Sequence, residues 1–198
     1  MTKVVSCGIV MLNSRRELFV CHATGTPRWD LPKGVQDPGE SALQTAVREA
    51  WEETSLELEP EALFDLGVFD YLPAKRLHLF GLRVGTGTFR IDDCRCHTSF
   101  PHRITGIPTL EVDGYAWKPI DRLGEWCGKN MTRVLTAIDW ARIEALPEVL
   151  SSRCALPGRG PLGKGGCVFW SPVTQAPLVE VTGLRSNEIA QRADRSVE

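Results

Sequence analysis

One helical segment does most to limit how this chain can fold. Residues 41–54, "SALQTAVREAWEET", set Leu43, Ala46, Val47, Ala50 and Thr54 along one side at helical spacing, a stripe suited to packing on a sheet. Glu49, Glu52 and Glu53 fall on the other side, within a sector of about 100°. The flanking sequence is strand-like. Residues 4–12 are rich in β-branched and apolar side chains, "NSRRE" supplies a turn, and "LFVCHA" returns as the second arm of a hairpin.

"TGTPRWDLPKG" is punctuated by Gly and Pro and reads as a loop containing a short strand. Pro38 and Gly39 prepare a helix start at residues 40–41, with acidic charge in the first turn, where the helix dipole favours it. After "SLELEPE" ends the helix, "ALFDLGVFDYL" and "RLHLFGLRV" read as two strands separated by "PAK", with "TFRI" a short third. "TLEVDGYAWKPI" reads as a further strand, and "MTRVLTAIDWARIEAL" as one amphipathic helix. Strands, helix, several strands, helix is the order of an α/β sandwich or an α+β fold. Residues 1–150 form the expected domain. Residues 151–198 are a Gly/Pro-rich, aperiodic extension, expected to be loosely ordered apart from a short helix at 187–195.

Composition narrows the function. The 198 residues are 42% hydrophobic and 24% charged, as in an ordinary globular protein. A net charge of −2 excludes the strongly basic surface of a duplex-DNA binder. No apolar run approaches the roughly 20 residues of a membrane span, and the N-terminus has neither the basic leader nor the cleavage site of a signal peptide. Seven irregularly spaced cysteines form no disulfide framework and fit a reducing cytoplasm.

Like charges three and four residues apart on a helix repel, and each pair costs a few tenths of a kcal/mol. Arg48 offsets part of this for the glutamates but cannot neutralise all three. Such a cluster is cheap if it is fully solvated or if it holds a cation, and hard oxygen donors favour Mg²⁺ or Mn²⁺ over zinc. Three glutamates standing alone would be read as a solvated face. The surrounding pattern argues otherwise: Gly34, five residues, Glu40, seven residues, then "REAWEETSL".

This pattern resembles the signature of the Nudix hydrolases. Gly34, Glu40, Arg48, Glu49, Ala50, Glu52, Glu53 and Leu56 match it, and Ser55 stands where the family has Gly. "WDLPKG" resembles the segment that usually precedes the signature. The resemblance implies an α/β/α sandwich around a mixed β-sheet, and a metal-dependent pyrophosphohydrolase acting on nucleoside diphosphate derivatives. Carried over by position, Glu49, Glu52 and Glu53 are metal ligands with the Gly34 carbonyl a further one, and Glu40 and Arg48 are a bracing pair. The implied cofactor is Mg²⁺, with Mn²⁺ able to substitute. Glu53 or Glu52 is a candidate for taking the proton of the attacking water. In some family members a carboxylate outside the signature does so, and Glu111 is the candidate here, with Asp113 of the same strand parity as the alternative.

Lys33, Lys75 and Arg76 are best placed in sequence to meet phosphates, the last two in the turn between strands, and Trp29, Phe69 and Tyr71 offer rings to a base. Tyr71 and Pro73 are family pointers to different substrates, so they do not choose one. A diadenosine polyphosphate or a nucleoside triphosphate leads, with an RNA 5′ end as the alternative substrate and a catalytically silent nucleotide-binding regulator as the alternative role. The expected assembly is a monomer or a homodimer. Three features carry little weight. "GRGPLGKG" lacks the Ser/Thr of a P-loop. Cys94, Cys96 and His97 lack a second matching pair for zinc. His22 and His78 sit on expected strands.

Overall fold

The structure, a computed structural model, describes residues 3–85 and 87–149. The tail, the helix expected at 187–195 and the "GRGPLGKG" segment lie outside the described residues. The chain opens with β1 (Val4–Asn13) and β2 (Glu17–Ala23). Asn13 Oδ1 accepts from the backbone N–H of Arg15 (2.9 Å) and Glu17 (3.0 Å), a side-chain-closed turn in which Arg16 takes φ 60°. The two arms pair at Leu12 and Leu18 near the turn and then diverge.

Into that opening come β3 (Trp29–Asp30), antiparallel to β2, and β4 (Lys33–Val35), antiparallel to Ser6, Cys7 and Gly8 of β1. Helix α1 (Ala42–Thr54) follows, then β5 (Phe64–Leu72) and β6 (Lys75–Val84). Strand β6 runs parallel to β1 along its whole length, and β5 returns antiparallel on the outside. The short β7 (Ser99–Pro101) and β8 (Pro108–Leu110) make a separate hairpin. Strand β9 (Val112–Pro119) pairs along β2, and three short helices finish the described chain: α2 (Leu123–Trp126), α3 (Lys129–Thr136) and α4 (Trp140–Glu144). The main sheet is seven-stranded and mixed.

Strand alternation sends β1 side chains to two cores. Cys7, Ile9 and Met11 join Phe80, Leu82 and the Ala46 and Ala50 of α1 on one face. Val10 and Leu12 join Leu77, Leu79, Met131, Val134, Leu135 and Ile143 on the other, under α2, α3 and α4. This is the expected α/β/α sandwich around a mixed sheet.

Three local expectations are corrected. "TFRI" is not a strand: Thr88 Oγ1 donates to Gly85 O (2.8 Å) and the Asp93 N–H to Arg90 O (3.0 Å), so local turns, ending in a 3-10 turn at Ile91–Asp93, use the polar groups a ladder would need. "MTRVLTAIDWARIEAL" divides into α3 and α4, and the break brings both Ile138 and Ile143 into the core. Lys75 and Arg76 are the first residues of β6 and not a turn, which sends them to opposite faces.

Gly8 lets β4 lie close on β1. A Cβ there would stand 2.6 Å from Lys33 Cβ and 2.8 Å from the Pro32 carbonyl oxygen. G8A should therefore force the two strands apart and lower the unfolding free energy by about 1–3 kcal/mol. The expected readout is a lower urea midpoint at an unchanged m value.

Candidate active site

Ser41 begins α1 with a reciprocal cap: its Oγ accepts from the Gln44 N–H (3.2 Å), and Gln44 Oε1 accepts from the Ser41 N–H (2.8 Å). The first turn carries no acid. Glu40, expected there, lies one residue before the cap and turns onto Arg48. Arg48 Nε and Nη2 donate to Glu40 Oε1 (2.8 Å) and Oε2 (2.9 Å), a two-pronged pair. The same guanidinium donates through Nη1 to Glu49 Oε1 (2.8 Å) and Glu52 Oε2 (2.9 Å), and through Nη2 to the Val35 carbonyl (3.1 Å). Arg48 and Thr45, donating to Glu40, hold its carboxyl down to about 2.

The acidic side of α1 is not a solvated face. Glu49 and Glu53 are only 8% and 7% exposed. Gly34 explains how Glu49 fits: a Cβ there would fall on the Glu49 carboxyl group, so the loop backbone closes over it only because Gly34 has no side chain. Glu53 Oε2 accepts from the Lys33 backbone N–H (3.2 Å). Burial pushes the Glu53 carboxyl up to about 8, with Lys33 opposing and Glu49 and Glu111 adding to the rise. Burial also raises Glu49, against the pull of Arg48.

The far end of the helix is held by distant parts of the chain. Ser55 takes the left-handed conformation (φ 63°) that the family's Gly would occupy freely, at a cost of about 1 kcal/mol. The carbonyls of the last turn are capped in trans: Glu52 O accepts from the His97 N–H (2.6 Å), Glu53 O from Tyr115 Oη (2.7 Å), and Thr54 O from the Arg95 N–H (3.2 Å).

Of the residues expected to meet a substrate, Lys33, Tyr71 and Lys75 come together and Arg76 does not. Lys33 Nζ pairs with Asp30 Oδ2 (2.9 Å). Burial works against the Lys33 charge, yet Asp30 and Glu53 outweigh it and hold the ammonium above its usual value. Burial and the nearby Lys33 charge draw Lys75 below its usual value, and Asp30 and Glu49 also act on it. Tyr71 is half-buried against the core and feels both Asp30 and Lys33. Arg76 lies toward Asp70 (3.7 Å). Trp29 carries Lys118 over its ring (4.7 Å), and Phe69, like Tyr71, is partly buried against the core.

Glu111 sits between β8 and β9, with its N–H on Thr98 O (3.2 Å) and its carbonyl accepting from the Thr24 N–H (3.0 Å). Its side chain is exposed and takes no hydrogen bond among the described residues, and its charge reaches both Glu49 and Glu53. Asp113 is instead engaged with His22 Nδ1. His78 pairs with Asp65 (2.8 Å). His97 and His102 go separate ways, to Ser55 and to a local turn with Thr105. Sequence reasoning missed Asp30 and Tyr115. The i,i+3 spacing of Asp30 and Lys33 was a readable signal, whereas the reach of Tyr115 to Glu53 was not.

Among the described residues, no three His, Cys, Asp or Glu side chains already converge as a metal cage. The donor set nonetheless suits a hard divalent cation: it is all oxygen, one Arg48 nitrogen orients Glu49 and Glu52 together, and Gly34 lets the backbone close on the Glu49 carboxyl group.

With a folded value near 8 against 4.5 for the free side chain, Glu53 favours the fold in its protonated form. That contribution is complete below about pH 4.5 and is lost as pH rises through about 8. Metal-free protein should therefore lose stability across this window, whereas E53Q should show a flatter profile. At pH 8 E53Q is expected to be more stable by about 1–3 kcal/mol, measured by denaturant titration with chelator present.

Residues 2–133 match the family model described as the NUDIX domain. The chain is 33% identical over 142 residues to a 17.7 kDa protein of the e-segB intergenic region of Enterobacteria phage T4, covering 67% of this chain and 93% of that protein. It is 46% identical over 46 residues to a putative 8-oxo-dGTP diphosphatase of Bacillus subtilis, covering 23% of this chain and 31% of that protein. Against the asymmetrical bis(5′-nucleosyl)-tetraphosphatase of Mus musculus it is 39% identical over 62 residues, covering 26% and 42%. The chain thus spans less than half the length of these two named enzymes. Among solved structures, the NUDIX domain of Shewanella oneidensis NrtR complexed with ADP ribose shares the fold at a TM-score of 0.52 and 13% identity, over 73% of this chain and 89% of that one. With residues 2–133 of its 198 under the family model, this chain belongs to the Nudix hydrolases.

Proposed function

We propose that this protein is a Mg²⁺-dependent hydrolase, with Mn²⁺ able to substitute, that cleaves the phosphoanhydride linkage of a nucleoside diphosphate derivative. A diadenosine polyphosphate or a nucleoside triphosphate is the leading substrate. One observation carries the reading: two carboxylates, Glu49 against the side-chain-free Gly34 and Glu53 on the Lys33 backbone N–H, are buried within the electrostatic influence of Lys33 and Lys75. Carboxylates are not buried together at the end of a helix for stability, because each loses its hydration. A site meant to receive a cation and a polyanion is a physical reason to hold them there.

Glu49, Glu52 and Glu53 would hold the ion, with the Gly34 carbonyl beside them. The chemistry supplied by a bound divalent cation is neutralisation of phosphate oxygens and a lowered pKa for a water molecule. Glu40 fixes Arg48, and Arg48 fixes Glu49 and Glu52, so the carboxylates are oriented before substrate arrives. Lys33 and Lys75 meet the phosphate chain, and the half-buried Tyr71 walls the same side. Glu111, whose exposed side chain takes no hydrogen bond among the described residues, is the carboxylate we assign to accept the proton of the attacking water.

A panel of diadenosine polyphosphates, nucleoside triphosphates, ADP-ribose and 5′-triphosphorylated RNA, incubated with Mg²⁺ and resolved by chromatography, tests the reading. Turnover of a dinucleoside polyphosphate or a triphosphate, lost by about 10³-fold or more in E53Q, is the expected result. A far faster reaction on RNA would move the substrate to RNA 5′ ends, and a thermal shift with no turnover would make the protein a binding module. Lys75 and Arg76 provide a separate check. K75A should raise KM about tenfold, whereas R76A, whose exposed side chain lies toward Asp70, should leave KM within about twofold.

A further inference from the structure

Ser55 is the one position where the signature departs from the family, and its hydroxyl is engaged with a distant segment. Ser55 is 2% exposed. Its Oγ donates to the Arg95 carbonyl (3.0 Å) and lies 2.8 Å from His97 Nε2. A hydroxyl has one proton, so with that proton on Arg95 O the second bond requires His97 to carry its hydrogen on Nε2 and donate it to Ser55 Oγ. The His97 ring stacks on Trp51 of α1, centroids 4.7 Å apart. Backbone bonds from Arg95 and His97 to the Thr54 and Glu52 carbonyls complete a clasp between residues 95–97 and the end of the helix that carries Glu52 and Glu53. One residue beyond the clasp, Thr98 O accepts the N–H of Glu111 (3.2 Å).

We infer that Ser55 is a positioning residue: the Ser55–His97 clasp sets the reach of Glu111 toward Glu49 and Glu53 by fixing the 95–98 segment to the helix end. A glycine would adopt the same backbone conformation more easily but would leave Arg95 O and His97 Nε2 without their partner. The inference deepens the proposed function, since it rests on Glu111 serving the reaction there.

Two substitutions separate hydroxyl from backbone. S55G and S55A both remove Oγ, but alanine is the worse fit to a positive φ, so S55A should unfold at a lower temperature than S55G. Both should lower kcat on the substrate identified by the panel by about tenfold with KM within about twofold, and combined with E111Q neither should lower kcat further than E111Q alone. Independently of turnover, amide exchange at His97 and Glu111 should accelerate at least about tenfold in S55G, and ¹⁵N spectra of the wild type should show the Nε2–H tautomer of His97. Wild-type kcat in S55G, losses that multiply with E111Q, or unchanged amide protection would each overturn the inference. A wild type inert toward every nucleotide removes the proposed function, and an E111Q with full activity removes the catalytic role of Glu111. Either result sinks the clasp's link to catalysis, while amide protection still decides whether the clasp holds residues 95–98.

Discussion

The Arg48 guanidinium is the interaction on which the site depends. It gives two nitrogens to Glu40 before the helix, one of them also to the Val35 carbonyl at the end of β4, and a third to Glu49 and Glu52 within the helix. A planar group with donors at fixed angles sets the relative positions of everything it touches, which a lysine ammonium would not do. Loop, helix start and acidic side chains are therefore one unit. The mixed sheet supplies the platform, through Ala46 and Ala50 packed on the face formed by Ile9, Met11 and Phe80.

That unit is built against its own electrostatics. Glu49 and Glu53 are buried where water cannot solvate them well, and their carboxyl groups are raised as a result. The fold tolerates this through specific contacts: the Lys33 N–H on Glu53, Arg48 on Glu49, and remote donors on the Glu52, Glu53 and Thr54 carbonyls. Concentrated negative charge at a fixed backbone is what a cation site needs, and it is also what an isolated helix would not sustain. The helix end is thus stabilised from outside, by Tyr115 and residues 95–97.

Much of this was legible in sequence, because it is local. The hairpin of β1 and β2, the extent of α1 and the strands β5, β6 and β9 follow from period and turn residues within a few dozen positions, and the Glu40–Arg48 pairing from the resemblance to the family signature. The failures share a cause. "TFRI" has strand composition but satisfies its polar groups in local turns, and the helix after Gly128 breaks so that Ile138 and Ile143 can both reach the core. Lys75 and Arg76 looked equivalent in a turn, yet as neighbouring strand residues they face opposite ways, Lys75 feeling the charges of Lys33, Asp30 and Glu49 and Arg76 lying toward Asp70.

By itself the sequence determined the family, the identity of the acidic side chains and the place where a glycine was required, since these depend on residue type and spacing along one loop and one helix. Only the tertiary structure decided that Glu49 and Glu53 are buried, that Asp113 is engaged with His22, and that Ser55 binds a segment forty residues away. Burial and long-range hydrogen bonds arise when separate strands are brought side by side. No periodicity encodes which distant carbonyl a hydroxyl will meet.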